Sequence, residues 1–321
     1  MIRKKYECLG DLKEIILIED IDDLQELSED MQSLMWFRGV SRASYRLVPK
    51  VIRNAEIISD QFGRYVDPTN IRFNDSGDNY LFPNFMNMLD VFKQVVSNKE
   101  ISNAITDFDW LFIAQHYGLP TPLLDWTTDF FVALWFATEE SQDMMPFKNK
   151  LKEDSIFAMP NDIGRYELSE DLSAIYIIDP CEINRMSADF RNANDPIDID
   201  EHYDLMKVFL NTGKRPYSPL CIKGKDIDVR LRNQKGNFTI HGSNIWPIDY
   251  YTVFRTNLTK ILIPSELRKD INMYLENLGI NRDFIYNGFD AKEYATKAIE
   301  IYENKNFYRD ITIIRNNNSN V

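Results

Sequence analysis

Residues 113–137 read IAQHYGLPTPLLDWTTDFFVALWFA, and the arrangement of the rest of the chain turns on them. The run FDWLFIAQHY (108–117) carries apolar residues at helical spacing with no breaker, which predicts a helix ending near Tyr117. Gly118 stops that helix, and Pro120 and Pro122 forbid its continuation. Leu123 to Thr127 reads as a short crossing segment. Thr127 or Thr128 then caps a second helix, with Asp129 in its first turn. That helix, FFVALWFA, is apolar on every face and should be buried on every side. A His, two Asp and three Thr are thereby held against rigid apolar segments, as functional sites often are.

Upstream lies LMWFRGVSRASYRLVPKVIRN (34–54). It predicts a strand over Met35 to Phe37, a sharp break at Gly39 and a return over Tyr45 to Pro49. Arg38, Arg42, Arg46, Lys50 and Arg53 make it a basic island in an acidic chain. Each cation is either paired with a nearby carboxylate or free for a ligand. Arg38 stands apart, because it follows two bulky apolar residues at the inner end of a strand, where a charge needs a specific partner.

Further out, Leu12 to Ile18 reads as a strand or short helix, and Ile21 to Gln32 as a helix with a solvated acidic face. Residues 54–80 read as a surface insertion. Phe82 to Val96 is a helix that tolerates Pro83 in its first turn, and Asn103 to Tyr117 is the helix entering the central stretch. Downstream, strands are expected at Ser155 to Met159, Ala174 to Asp179, Val229 to Leu231, Asn237 to His241 and Lys260 to Ile263. Residues 189–203 read as a polar loop and Tyr203 to Leu210 as a helix. Pro264 and Ser265 open another helix, closed by Gly279, and Ala291 to Tyr302 is the last. The reading is one α+β domain over residues 1–310, a mixed sheet of short strands packed with several helices, and a disordered tail over 311–321.

Composition narrows the function classes. Among 321 residues, 50 are acidic and 37 are Lys or Arg, for a net charge of −13. That argues against whole-surface affinity for nucleic acid or an anionic membrane, while a local basic cleft stays open. Cys8, Cys181 and Cys221 are scattered and odd in number, so no disulfide framework is drawn and a reducing cytoplasm is the simple reading. Neither a signal peptide nor a run of about 18 apolar residues is found. The only histidines, His116, His202 and His241, leave few ligands for a multi-His centre, and no metal is expected. Motifs of P-loop, Rossmann, zincin and nucleophile-elbow type are missing.

Four segments together carry a family resemblance. WFRG (36–39) with LVPKVIR (47–53) resembles the opening of the FRG domain family, named for its Phe-Arg-Gly. AQHYGLPTPLLDWTTDFFVALWFA (114–137) is similar to that family's central signature. RLRNQKGNFTIHG (230–242) resembles its later segment, and KILIPSELRKDINMYLENLGI (260–280) its last strand and helix. Pro122 stands where the family carries a basic or polar residue, and YNGFDAKEYA (286–295) is looser than the usual closing loop. The resemblance implies a family common in bacteria and phages and associated with defence or toxin-like modules.

A more distant likeness is to ADP-ribosyltransferases of the Arg-Ser-Glu class, which have an aromatic-Arg-Gly strand and a hydroxyl-bearing strand running into an apolar helix. It implies an ADP-ribosyltransferase-like fold and NAD as cofactor. By that likeness Arg38 holds the diphosphate or ribose, and Thr127 stands for the Ser that orders the nicotinamide pocket. Gln234 then occupies the place of the catalytic Glu. The expected catalytic set is Arg38, His116, Asp125, Thr127 and Gln234; the expected ligand contacts are Arg38, Gln115, Thr121, Thr127 and His241.

Each residue also has a structural reading. His116 is a general base, a phosphate donor, or a helix-terminal His bonded to carbonyls. Asp125 orients His116, binds a ribose hydroxyl, or pairs with Arg38 or Arg53. Thr127 is a ligand contact or a helix cap, and Trp126 and Trp135 are core or stacking platform. Three function classes follow. The first is an NAD- or nucleotide-dependent transferase, or toxin-like effector, with a protein or nucleic-acid acceptor left open. The second is a non-catalytic nucleotide- or protein-recognition module, and the third a metal-free phosphodiesterase using His116 and His241.

Overall fold

The computed structural model describes residues 2–5, 12–30, 34–53, 79–96, 104–139, 172–187, 195–210, 216–242, 247–249, 252–287, 292–306 and 311–315. Its strands are β1 (Ile2–Lys5), β2 (Glu14–Leu17), β3 (Trp36–Val40), β4 (Asn79–Pro83), β5 (Leu123–Thr127), β6 (Leu172–Ile178), β7 (Leu220–Ile222), β8 (Gly236–Ile240), β9 (Thr259–Pro264) and β10 (Ile311–Arg315). The helices are α1 (Ile21–Asp30), α2 (Lys50–Arg53), α3 (Phe85–Val96), α4 (Asp107–His116), α5 (Phe130–Thr138), α6 (Pro180–Met186), α7 (Tyr203–Met206), α8 (Val229–Asn233), α9 (Thr252–Arg255), α10 (Arg268–Asn277), α11 (Arg282–Ile285) and α12 (Lys292–Asn306).

Among the described residues one mixed sheet of eight strands runs β1-β2-β9-β6-β3-β5-β8-β7, and β4 pairs with β10 apart from it. Only β2 and β9 are parallel neighbours. The fold is α+β, as the scattered short strands imply. β3 pairs with β6 along its whole length, Trp36 opposite Ile178 through Val40 opposite Ala174. Its other edge meets β5 at a single pair, Phe37 opposite Thr127. The sheet therefore splays between β3 and β5.

Alternation along the strands sorts the core. One face carries Trp36, Val40, Leu124, Trp126, Ala174, Tyr176 and Leu262, covered in part by Ile183 of α6 and Phe254 of α9. The other face divides in two. Under β3, β6 and β9, α5 packs with α1 and α10 around Phe37, Ile175 and Ile261. Under β5, β8 and β7, α3, α4 and α12 pack around Leu123, Phe238 and Ile240. Phe112 of α4 stacks on Phe238, with ring centroids 4.7 Å apart. The two halves meet at the splay.

The central stretch follows the expected path with sharper ends. Thr106 caps α4 in a reciprocal box with Asp109. At its far end Gly118 adopts φ +90°. Gly118 N donates to Gln115 O and Leu119 N to Ala114 O, a Schellman closure that turns the chain into β5. Asp129, rather than Thr127 or Thr128, caps α5, accepting from the amides of Phe131 and Val132. A carboxylate there meets the helix dipole and two orphan N–H groups at once.

Other expectations are corrected. β3 runs straight through Gly39. A Cβ at that position would lie 1.8 Å from the Ala133 carbonyl oxygen and 2.7 Å from Ala137 N, so the glycine lets α5 lie directly on the strand. Tyr45 to Pro49 is not a strand, because the neighbours of β3 are β6 and β5. Pro83 ends β4, and the helix starts at Phe85, with Asn84 Oδ1 accepting from Met86 N and Asn87 N. Asn79 and Tyr80, read as part of an insertion, belong to β4. Val229 to Leu231 is helical, capped by Asp228. Ile311–Arg315, read as the start of the tail, forms β10, since ITII favours a strand. The strand expected at 155–159 and most of the insertion at 54–80 lie outside the described residues. Among the described residues no helix is long and apolar enough to cross a membrane.

Gly39→Ala forces backbone apart where no side chain can yield. It should cost about 3 kcal/mol or more in denaturant unfolding. A loss below about 1 kcal/mol would show that α5 does not rest on β3 as described.

Candidate functional site

Arg38 projects from β3 at the splay. Its Nη1 donates to the Asp125 main-chain carbonyl of β5 at 2.7 Å and lies 3.5 Å from Asp125 Oδ2. The guanidinium thus supplies a donor where the strand ladder has none. Among the described residues Nε is buried with no partner. The Arg38 side chain is 17% exposed and that of Asp125 47%. An ion pair with so open a carboxylate adds little, under ~1 kcal/mol. A charged donor on a carbonyl is worth more, about 1.5–3 kcal/mol. Burial pulls the Arg38 pKa below its ordinary value, and the charge of Asp125 opposes that.

Asp125 is oriented from α4. Gln115 Nε2 donates to Asp125 Oδ2 at 2.9 Å. Thr121 Oγ1 donates to Gln115 Oε1, which fixes the amide's orientation, and accepts from Leu123 N at 3.1 Å. Four expected residues, Arg38, Gln115, Thr121 and Asp125, therefore form one hydrogen-bonded chain. Two other cations of the basic island are differently employed: Arg46 Nη1 is 3.0 Å from Asp249 Oδ2 in a buried pair, and Lys50 Nζ caps the Gly118 carbonyl.

Thr127 and Gln234 do meet, through bonds that hold the fold. Thr127 Oγ1 donates to the Gln234 carbonyl at 2.6 Å and accepts from Asp129 N at 3.0 Å. Gln234 is the C-cap of α8 rather than a strand residue, and its Nε2 donates to Ile285 O at 3.1 Å. Lys235 follows at φ +44°, and its Nζ lies 2.8 Å from Asp129 Oδ2. The amide standing in the expected place of a catalytic carboxylate is thus committed to α11.

The two histidines are separated by the sheet. His116 ends α4, beneath the face carrying Leu123 and Phe238. His241 follows β8 on the opposite side, with Nε2 3.3 Å from Thr239 Oγ1, which in turn accepts from Trp126 Nε1. An acid–base pair between them is not assembled, and His241 is 1% exposed. Burial holds both rings neutral, each pKa falling to about 3; for His116 the charge of Arg230 adds to the effect. Sequence reasoning passed over Arg230, because Val229 to Leu231 read as a short strand with no site residue marked in it. The Asp228 cap followed by a short apolar-basic helix is the signal that could have found it.

Lowered imidazole pKa values make folding oppose protonation. The stabilisation is complete above the unfolded value near 6.5 and is lost as pH falls toward about 3. Each ring then contributes a slope of at most ~1.4 kcal/mol per pH unit. Imidazole NMR resonances of His116 and His241 should stay flat from about pH 7 to pH 5, where a free histidine titrates. A midpoint near pH 6 to 7 for either ring would contradict the burial described.

With the geometry in place, comparison with known proteins adds one match. No curated protein and no solved structure matches the chain. The family model of the FRG domain matches residues 33–145, a segment that holds β3, α4, β5 and α5, and with them Arg38, Gln115, His116, Thr121, Asp125 and Thr127.

Proposed function

We propose that the chain is a nucleotide-handling protein whose site is centred on Arg38 and Asp125, with NAD as ligand and ADP-ribosyl transfer as the reaction. One observation carries the reading: a buried guanidinium lies at a splay in the sheet, engaged among the described residues only through Nη1, beside a half-exposed carboxylate. The unbonded Nε fits an added acceptor, and a guanidinium fork suits phosphate oxygens. NAD would supply the ADP-ribosyl group and nicotinamide as leaving group. Arg38 would bind the diphosphate. Asp125 would accept a ribose hydroxyl and offset the positive charge that grows on the sugar as nicotinamide departs. Gln115 and Thr121 act through Asp125 and are positioning residues. The setting would be bacterial or phage conflict, in the cytoplasm.

A second reading is a recognition module that binds a nucleotide without turnover. It is favoured by the commitment of the Gln234 amide and the Thr127 hydroxyl to structural bonds.

The test is nicotinamide release from NAD by the purified protein, with melting measured for each variant. Wild type should turn over. Arg38→Gln should lose binding, and Asp125→Asn should keep ADP-ribose binding while losing about 100-fold or more in turnover. Binding without turnover in the wild type would select the recognition module. Turnover that survives in a folded Arg38→Gln would sink both readings.

A further inference from the structure

A second guanidinium, on another element, is less satisfied than Arg38. Arg230 of α8 is 9% exposed. Its Cζ lies 4.7 Å from the ring centre of Tyr286 and 5.3 Å from that of Tyr117. The cation thus lies over both rings. Its N–H edge is another matter: Nε is buried without a hydrogen bond, and among the described residues no carboxylate pairs with the side chain. A buried cation lacking a counterion is expensive.

The carboxylates nearby are occupied elsewhere. Asp228 Oδ2 accepts from Tyr117 Oη at 3.1 Å, and its Oδ1 caps the Arg230 amide. Glu139 Oε2 accepts from Tyr286 Oη at 3.0 Å, while its Oε1 takes Arg282 at 3.2 Å. Burial and Glu139 keep the Tyr286 phenol protonated, so it stays a donor to that carboxylate. Each tyrosine is thus locked by an acid, and each acid is withheld from Arg230. Trp135 braces Tyr286 from α5, with centroids 5.4 Å apart.

His116 supplies the second unsatisfied group. Its Nε2 is buried with no partner among the described residues, and Arg230 is close enough for its charge to bear on the ring. His116 and Tyr117 are chain neighbours with perpendicular rings 6.0 Å apart, so imidazole and guanidinium belong to one assembly. Arg230 Nε on α8 and His116 Nε2 on α4 are thus two buried nitrogens without partners among the described residues. A planar carboxylate is met by the fork of one arginine. A tetrahedral anion has oxygens left over for a donor arriving from elsewhere.

We propose that Arg230 and His116, framed by Tyr117 and Tyr286, form a binding site for a phosphate monoester. This site does not depend on what Arg38 binds. A ligand phosphate supplies the counterion that the fold withholds from Arg230, and a neutral His116 with its proton on Nε2 donates to a further oxygen.

The probes are inorganic phosphate and AMP, with adenosine and acetate as controls, on the full chain. Thermal shift and His116 imidazole NMR are followed for wild type, Arg230→Gln and Arg230→Lys. Phosphate and AMP should raise the wild-type melting temperature and move the His116 resonances, and adenosine should do neither. Arg230→Gln should weaken phosphate binding about tenfold or more, as loss of a charged hydrogen-bonding partner does. Without phosphate it should melt no lower than wild type by more than a few degrees, because it removes an unpaired buried charge. Arg230→Lys, which keeps the charge and loses the fork, should bind between the two. An absent phosphate response in wild type overturns the proposal, as does binding undiminished in Arg230→Gln. Acetate acting as strongly as phosphate overturns the ligand class. A steep loss of stability in phosphate-free Arg230→Gln assigns Arg230 to the structure and likewise overturns it.

Discussion

The bond from the Arg38 guanidinium to the Asp125 carbonyl is the interaction on which the centre of this fold depends. Two antiparallel strands, β3 and β5, touch at one residue pair and then diverge. Backbone amides cannot close the opening, and an uncompensated carbonyl beside a sheet is costly. A long side chain with several donors spans the gap, and arginine does so without losing its charge. The same act places a cation at an opening in the sheet with donors to spare. Structural and ligand-binding roles are therefore not rivals at Arg38. The residue holds the splay with one nitrogen, while its Nε has no partner among the described residues.

The splay itself follows from packing on one face of the sheet. Helix α5 lies against β3 so closely that only glycine fits at position 39, with Ala133 and Ala137 opposite. Helix α4 packs under β5 and β8 through Phe112 on Phe238. The two helices belong to different halves of the core, and each draws its own strands toward it. The seam between the halves is where the sheet opens. The Phe-Arg-Gly triplet can be read in these terms: Phe37 packs edge-on to Phe130 in the α5 half, Arg38 spans the seam, and Gly39 admits the helix.

Much of this was legible in the sequence, and what was not has physical causes. An all-apolar helix after a Gly-Pro-rich turn left no doubt that α5 would be buried, and Arg38 was marked by a charge following two aromatics. The α+β class followed from short strands scattered among helices. Periodicity failed where tertiary partners decide. Gly39 reads locally as a breaker, yet its role is to admit a helix nearly one hundred residues later in the chain. RLRN reads as strand because Val229 and Leu231 alternate with arginine, yet the Asp228 cap wins and makes it helical. The pairing of His116 with His241 could not be judged at all, because which face of a sheet a loop residue joins depends on strand order. Arg230 stayed hidden for a similar reason: its rings come from residues 117 and 286, and nothing local announces them.

The end of α4 explains why two unsatisfied guanidinium groups sit near one turn of chain. Gln115 and His116 are its last residues, and the Schellman closure at Gly118 fixes their directions. Gln115 reaches Asp125 and so serves Arg38; His116 stands beside Arg230. A helix C-terminus carries partial negative charge, which favours cations nearby and lowers the cost of leaving them unpaired. That contribution is about 0.3–1 kcal/mol at exposed ends, too small to replace a true counterion for a buried arginine. The helix end can therefore gather two cations at one place, but it cannot neutralise them. In a chain with thirteen more acidic than basic residues, carboxylates for both were abundant. Asp228 and Glu139, which hold the tyrosines beside Arg230, are bonded to them and to Arg282 instead. The shortage of counterions at this turn is thus a local feature of the fold, and composition does not account for it.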